Sequence, residues 1–269
     1  MRTPRLAGLG LGMMAAVALA VTGCGAKGGA VPGAGATASG TPGTPASSSA
    51  ADPAAVAALA SAAAVLSTQT FTVTMTAGPG IKLTAHVDVP GAKGAGNLAI
   101  TGSNTDIQVK SLLTGQDLYV QVPGVTKAGT WTHLDVARLP EGANVGVRPG
   151  QIDPINTQKV LTSTTDVQQA DARSYHGTLD LTEVTGITGV DPTAVTMWGA
   201  AAKNVPFTAG LDDQGRLSVL TVTLPAAGGQ PAQVLDVTYT DYGIPVTADK
   251  PAPSEIIEAP ASLYKTLGG

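Results

Sequence analysis

Between residues 70 and 135 the chain alternates apolar and polar positions, as β-strands with one buried face do. Phe71, Val73 and Met75 alternate with threonines, and a Gly78-Pro79-Gly80 turn leads into the alternating segment from Ile81 to Val89. Four more segments of this kind, separated by turn residues, lie near 97–101, 105–113, 116–122 and 130–135. The pattern predicts six consecutive antiparallel strands.

Three Asp-Pro pairs carry the signals of a helix start, an N-cap followed by a proline in the first turn. They are Asp52-Pro53, Asp153-Pro154 and Asp191-Pro192. We predict a helix after the first pair, a short helix at 154–162 after the second, and a third helix after the last. Apolar residues at helical spacing support the first and third helices: Val56, Leu59, Ala63 and Leu66, and then Val195, Trp198 and Ala202.

Strand patterns recur after the second predicted helix, at 174–183, 205–211, 217–224, 233–241 and 245–248. About 10–11 antiparallel strands are more than an open sheet holds without curling. We therefore predict a mainly β (α+β) fold, with one large curved half-barrel sheet and about three short helices on its concave face. Residues 52–269 form a single domain of this kind.

The first 23 residues have the layout of a secretory signal. Arg2 and Arg5 precede an apolar stretch from Leu6 to Ala20, which is shorter than the roughly 20 apolar residues of a spanning helix. Val21-Thr22-Gly23-Cys24 then resembles the lipobox of bacterial lipoproteins. The alternatives are an ordinary signal peptide that contains a cysteine, and an uncleaved anchor.

Cys24 is the only cysteine and has no disulfide partner. Lipidation would remove an exposed thiol and supply two acyl chains, which give stable anchoring where one does not. Residues 25–51 are nearly all Gly, Ala, Pro, Ser and Thr, a composition that does not fold. We predict an exported protein on the outer face of the cytoplasmic membrane, held by Cys24 and a disordered tether with a reach of roughly 30 Å.

Composition and motifs argue against two functional classes. Loss of Arg2 and Arg5 takes the formal charge from −4 to −6, which does not favour a nucleic-acid partner. His86, His133 and His176 fall on separate predicted strands, and the sequence has no metal-binding His pair or hydrolase elbow. Asp212-Asp213 belongs to a tight turn. We predict no enzyme activity, no metal and no cofactor.

The order of these pieces resembles the LppX/LprAFG family of actinobacterial cell-envelope lipoproteins over about residues 53–252. The local patterns that carry the resemblance are Gly115-Gln116-Asp117-Leu118-Tyr119-Val120 leading to Trp131, the Asp153-Pro154 helix, Tyr175-His176-Gly177-Thr178, and the region from Tyr239 to Pro251. The resemblance implies a half-barrel related to the carrier LolA, closed by helices over an apolar cavity for lipids or glycolipids. Envelope transport proteins are the implied protein partners.

A concave apolar face needs apolar material against it, and three short helices leave room for a lipid chain. The candidate cavity residues are Val73, Leu83, Val87, Val120, Val195, Trp198, Phe207 and Leu220. The alternative is a solid core, in which these residues pack only against the helices. The first hypothesis is a membrane-anchored carrier of a lipid or glycolipid, and the second is a non-carrier sensor or assembly partner. An acyl-group enzyme is the third. A carrier calls for a cavity of at least about 300 Å³.

Overall fold

The structure is a computed structural model that describes residues 50–102, 105–124, 126–139, 152–184, 190, 192–226 and 231–267. The predicted signal peptide, the predicted lipidation site Cys24 and nearly all of the predicted tether lie outside these residues. The described residues contain twelve strands and four α-helices. No helix among them is both long and apolar enough to cross a bilayer.

Burial alternates most regularly along Thr70–Ala77, Ile81–Asp88 and Gln233–Thr240, which period-two patterning predicted. The twelve strands are Thr70–Ala77 (β1), Ile81–Asp88 (β2), Lys93–Gly102 (β3), Thr105–Thr114 (β4), Asp117–Gln121 (β5), Trp131–Asp135 (β6), Gln168–Gln169 (β7), Ser174–Leu179 (β8), Val205–Leu211 (β9), Leu217–Leu224 (β10), Gln233–Thr240 (β11) and Ile256–Glu258 (β12).

All twelve strands belong to one open sheet, in the order β12-β6-β5-β4-β3-β2-β1-β11-β10-β9-β8-β7. Every neighbouring pair is antiparallel except β12 and β6, which run parallel. The strand β1 lies in the middle, between β2 and β11. The predicted mainly β half-barrel with a single large sheet is confirmed, and so are the six consecutive antiparallel strands.

The four α-helices are Pro53–Leu66 (α1), Thr157–Thr162 (α2), Pro192–Trp198 (α3) and Ala261–Leu267 (α4). The Asp52 carboxylate accepts a hydrogen bond from the amide of Ala54 and caps α1, as predicted. The helix α1 buries Ala55, Leu59 and Leu66 and contacts α2 as well as β7 and β10.

The second helix begins three residues later than the predicted 154–162. Asp153 accepts hydrogen bonds from the amides of Ile155 and Thr157, so it caps a turn. Asn156 follows in the left-handed region, with φ of 55°, and interrupts the helical backbone there. The helical residues proper are therefore Thr157–Thr162.

Three sequence expectations at the strand ends are wrong. Residues 181–183 form a 3-10 helix, because the Asp180 carboxylate accepts the amide hydrogen of Thr182 and turns the chain. The predicted strand at 245–248 is absent, since this segment crosses the sheet and pairs with no strand. The pattern also missed β7, β12 and α4, and twelve strands replace the expected 10–11.

The segment from Gly243 to Ala259, here called the C-terminal strap, runs from the centre of the sheet to its far edge. The amide of Gly243 donates to the carbonyl of Thr70 in β1, and the Thr114 hydroxyl in β4 donates to the carbonyl of Ala248. The amide of Ala259 donates to the carbonyl of His133 in β6. The strap therefore links β1, β4 and β6 across the strand direction.

Candidate functional site

One face of the sheet is apolar across its central strands, because strand register places the buried residues of neighbouring strands side by side. Val73 in β1 pairs with Ala85 in β2 and with Tyr239 in β11. Met75, the next residue of β1 on the same face, pairs with Leu83 in β2 and with Val237 in β11. All of these residues are at least nine-tenths buried. We call this surface the inner face.

A small crevice lies between the inner face and the elements that cover it. It is lined only by aliphatic side chains: Ile155, Val160, Leu179, Leu181, Val190, Leu220, Val222, Leu224 and Leu235. Its volume is about 10 Å³, space for one water molecule at most. Segments 140–151, 185–189 and 227–230, which adjoin the covering elements and strands in sequence, lie outside the described residues.

The eight candidate cavity residues all pack in or against the same core. Val73, Leu83, Val87, Phe207 and Leu220 are buried, whereas Val120, Val195 and Trp198 are partly buried and packed against the core. Of the eight, Leu220 is the one that lines the crevice among the described residues. The alternation identified the buried face, and the position of the crevice depends on the covering elements.

The helix α2 and the turn before it form part of the cover of the crevice. Ile155, in the turn before it, and Val160 within it contribute to the lining, and both are about 1% exposed. The hydroxyl of Thr157 lies 2.5 Å from the phenolic oxygen of Tyr239 in β11. This contact joins the start of α2 to the centre of the sheet.

The half-buried carboxylate of Asp153 supports that joint by accepting a hydrogen bond from the amide of Thr157. Burial raises the pKa of Asp153. The hydrogen bonds donated by Thr157 and by the amide of Ile155 lower it, but the effect of burial is larger. Burial also raises the pKa of Tyr239 well above its usual value, and the charge of Asp153 raises it further. The sequence predicts Asp153 only as a helix cap, and no local pattern connects it with Tyr239, which lies far along the chain.

Trp198 ends α3 and is partly buried against the core. Its Nε1 is shut off from solvent and has no hydrogen-bond partner within the described part of the chain. The helix α3 contacts the 3-10 helix Leu181–Glu183, whose Leu181 lines the crevice. The helix that ends at Trp198 therefore contacts an element of the crevice wall, although Trp198 itself does not line the crevice.

The opposite, outer face carries His86 and His133, each with a polar partner. A register row crosses the sheet there, through Thr72, His86, Ala95, Leu112, Tyr119, His133 and Glu258. The C-terminal strap lies over this row: Lys250 Nζ is 5.8 Å from the centre of the Tyr119 ring. A gap of about 160 Å³ remains between the strap and Thr72 and His86.

His133 holds the far end of the row. Its Nε2 lies 2.8 Å from Asp117 Oδ1, its Nδ1 lies 2.8 Å from Glu258 Oε2, and its ring stacks on Tyr119 at 5.0 Å. Burial lowers the pKa of His133, but the hydrogen bonds and charges of Glu258 and Asp117 outweigh it and raise the pKa above 6.5. Each ring nitrogen has a carboxylate partner on a neighbouring strand, so His133 links β6 to both β5 and β12.

The described residues do not bring the histidines together. His86 lies in β2, His133 in β6 and His176 in β8, on the other side of the sheet centre. His86 Nδ1 lies 2.9 Å from the Thr72 hydroxyl, and His176 is exposed. Asp212 accepts hydrogen bonds from the amides of Gln214 and Arg216, as expected of a turn residue.

A comparison of the sequence with protein-family models and with curated proteins finds no match.

Proposed function

We propose that the protein is an exported, lipid-anchored lipoprotein of the cell envelope, and that its half-barrel domain binds the acyl part of a lipid or glycolipid at the inner face. The observation that carries this proposal is the crevice lined wholly by aliphatic side chains, beneath a cover made of short elements. A site without polar lining selects hydrocarbon. The resemblance to the LppX/LprAFG lipoproteins supports the same function.

Binding an acyl chain requires the cover to move. The described residues close the crevice to about 10 Å³, far below the roughly 300 Å³ of small ligand sites. Ile155 and Val160 occupy the space that a chain would take, and they belong to a turn and a six-residue helix. Outward movement of α2 would expose Leu220, Val222 and Leu235 to the ligand.

Anchoring and binding are separate parts of the proposal. Cys24 carries the acyl chains that hold the protein on the membrane, and the tether allows the domain to approach the lipid surface within roughly 30 Å. The ligand at the inner face is a different molecule. The proposed activity is binding and transfer, and it uses no catalytic group.

Lipid extraction tests the proposal. A Cys24→Ala protein, made in an actinobacterial host and purified from the soluble exported fraction, is extracted with organic solvent and analysed by mass spectrometry. We expect about one acylated molecule per protein. Loss of the protein's own lipid anchor ensures that any recovered lipid is a ligand.

A matched pair of variants in β10 locates the ligand. In Val222→Phe the larger ring enters the crevice, whereas in Val219→Phe it lies on the outer face, where Val219 is 37% exposed. We expect the first variant to lose bound lipid and the second to retain it, with cooperative thermal unfolding in both. Equal lipid recovery from the two variants would contradict a site at the inner face.

The second candidate is a non-carrier envelope lipoprotein with a solid core, a sensor or an assembly partner. The small volume of the crevice favours it directly. Under this hypothesis the extract contains no lipid in molar proportion, and Val222→Phe only destabilises the fold. The extraction experiment thus decides between the two candidates.

A further inference from the structure

The helix α1 carries no charged residue, although half of it is exposed. Seven of its fourteen residues are exposed, and they are proline, alanine, valine and one serine. The hydroxyl of that serine, Ser61, donates to the carbonyl of Ala57 in the helix itself. Helices on a protein surface ordinarily place charged and polar residues on the side away from the core. The free side of α1 is instead apolar, and Val56 is the large apolar side chain exposed there, at 39%.

The helix α3 and the 3-10 helix that follows it have the same character. Val195 and Trp198 pack against the core, whereas Met197 is 53% exposed. No charged residue occurs from Pro192 to Ala202, before Lys203. The free side of this second helical segment is therefore also uncharged.

Both helical segments cover the same part of the sheet. The helix α1 contacts β7 and β10, and the 3-10 helix Gly199–Lys203 contacts β8, which lies between those two strands in the sheet order. Because the buried sides of both segments pack into one core, their free sides are turned away from the sheet. We call the exposed residues of 53–66 and 192–202 the helical face.

The outer face of the sheet differs, because its exposed positions include charged residues. Lys82, Lys110 and Asp236 are exposed on β2, β4 and β11. Exposed apolar side chains occur on that side as well, Val219 at 37% in β10 and Ile244 at 56% in the C-terminal strap. Each large apolar side chain of the helical face therefore has a counterpart of similar exposure on a charged surface.

The chain that leads to Cys24 joins the domain at the start of the helical face. The amide of Asp52 donates to the carbonyl of Val167 at 2.8 Å, and the side-chain amide of Gln168 donates to the carbonyl of Ala50 at 2.7 Å. These bonds hold the residues before α1 against the edge strand β7. Cys24 lies 26 positions before Ala50, which gives a reach of roughly 30 Å, whereas α1 is about 21 Å long. A membrane that holds Cys24 can therefore meet the helical face.

We propose that the helical face docks on the lipid bilayer that holds Cys24, with Val56 and Met197 inserted among the acyl chains. This inference rests on the anchoring in the proposed function and adds the surface of the domain that meets the membrane. A face without charge has no ionised group to strip of water at the bilayer. Because the anchor confines the domain, its effective concentration at the membrane is about millimolar, so a weak apolar contact is enough. Docking also holds α2, which contacts α1, at the lipid surface.

Chemical anchoring of the protein tests this inference. The chain from Cys24 onward is coupled through that thiol, its only one, to a maleimide lipid in phosphatidylcholine vesicles. Trp131→Phe leaves Trp198, next to Met197, as the single tryptophan. We expect brominated phosphatidylcholine, whose bromine atoms quench nearby indoles, to lower this emission. It should leave unchanged the emission of Trp131, in β6 near the opposite edge of the sheet, in a Trp198→Phe protein.

Matched substitutions locate the contact. Val56→Glu and Met197→Glu place a charge on the helical face, and each should lower the ratio of docked to free protein, measured by the quenching, about tenfold. Val219→Glu and Ile244→Glu are controls of nearly the same exposure, and they should leave the quenching unchanged. A thermal melt of each variant shows that the domain is folded.

The inference is overturned if the coupled protein shows no quenching, or if the four glutamate substitutions have equal effects. It is also overturned if the uncoupled chain sediments as a dimer that Met197→Glu dissociates, because the helical face then joins two copies. The proposed function fails on different evidence, a native Cys24 without acyl chains or an extract without lipid, since the maleimide lipid supplies the anchor in this experiment.

Discussion

The Nδ1 atom of His133 in β6 lies 2.8 Å from the Glu258 carboxylate in β12. The two residues are also register partners in the parallel pair at the edge of the sheet. On its other side the imidazole meets Asp117 of β5, and Tyr119 stacks on the ring with Lys250 above it. A protonated imidazole can donate to both carboxylates, whereas a neutral one can donate to only one.

Stability should therefore depend on the protonation of His133. Its folded-state pKa is raised above 6.5, so the stabilisation is fully present below pH 6.5 and is lost as the pH rises through the folded-state value. Because Glu258 is largely exposed, we expect a modest effect, a fall in Tm of about 2–4 °C between pH 6 and pH 8.5 that His133→Asn abolishes.

The control for this titration is His176→Asn, which changes an exposed histidine in β8. It should keep the pH dependence of the unaltered protein. Hydrogen exchange adds a local measurement, since the amides of 256–259 should lose protection at pH 8.5 before those of β1 and β11 do. Uniform loss across the sheet would show that the contact does not hold the edge.

Tyr239→Phe should destabilise the domain by about 1–3 kcal/mol, because it removes the buried hydrogen bond between the Tyr239 and Thr157 hydroxyls. Urea unfolding measures the loss. Adding Thr157→Val should cost less than the sum of the single changes, since the pair is then removed together. Tyr175→Phe is the control, because the described structure shows no hydrogen bond to that hydroxyl, and a loss as large as that of Tyr239→Phe would contradict this account.

Gly177→Ala should cost about 1–3 kcal/mol through overpacking. A Cβ there would lie 2.9 Å from Phe207 Cε1 and 3.2 Å from both the Asp166 carbonyl and Val167 Cα. Gly210→Ala, in the neighbouring strand, is the comparison: its Cβ meets the end of the Val219 side chain, which can rotate. Thermal unfolding should rank Gly177→Ala as clearly the more harmful, and the reverse order would show that the strand absorbs a methyl group at 177.

Cys24→Ser should move the protein from the membrane fraction to the soluble exported fraction, because it removes the thiol to which the proposed acyl chains would be attached. Mass spectrometry of the N-terminal peptide of the unaltered protein should show a diacylglyceryl group on Cys24. Thr22→Ser keeps a small residue before the cleavage site and should leave anchoring unchanged. Retention of Cys24→Ser on the membrane would favour the uncleaved-anchor alternative.

Local patterns predicted the strands that pair with their sequence neighbours, such as β1 with β2, because alternation and turn residues operate over a few positions. They did not predict β12, whose three residues pair with β6 through contacts made by His133 and Ala259. The same patterning placed a strand at 245–248, where Pro245 lacks an amide hydrogen and the chain crosses the sheet.

In the candidate site, too, local patterns predicted some features, whereas others depend on contacts between distant parts of the chain. Alternation placed Val73, Phe207 and Leu220 on the buried face, but a face does not specify where the cover leaves space. Trp198 was noted for its apolar surface, while its unpaired N–H emerges only from the three-dimensional packing. The link between Thr157 and Tyr239 depends on a register that no local pattern encodes.

The central strand has a consequence for how the chain is made. β1 is among the first strands to be synthesised, yet one of its two neighbours, β11, is among the last. Thr72 therefore cannot pair with Thr240 until β11 has been made. Pairing over such a distance is slow, and an unpaired apolar edge is prone to aggregation in the interval. The growing chain therefore depends on being kept apart from other copies until nearly all of it has emerged, and the proposed export before folding would provide that separation.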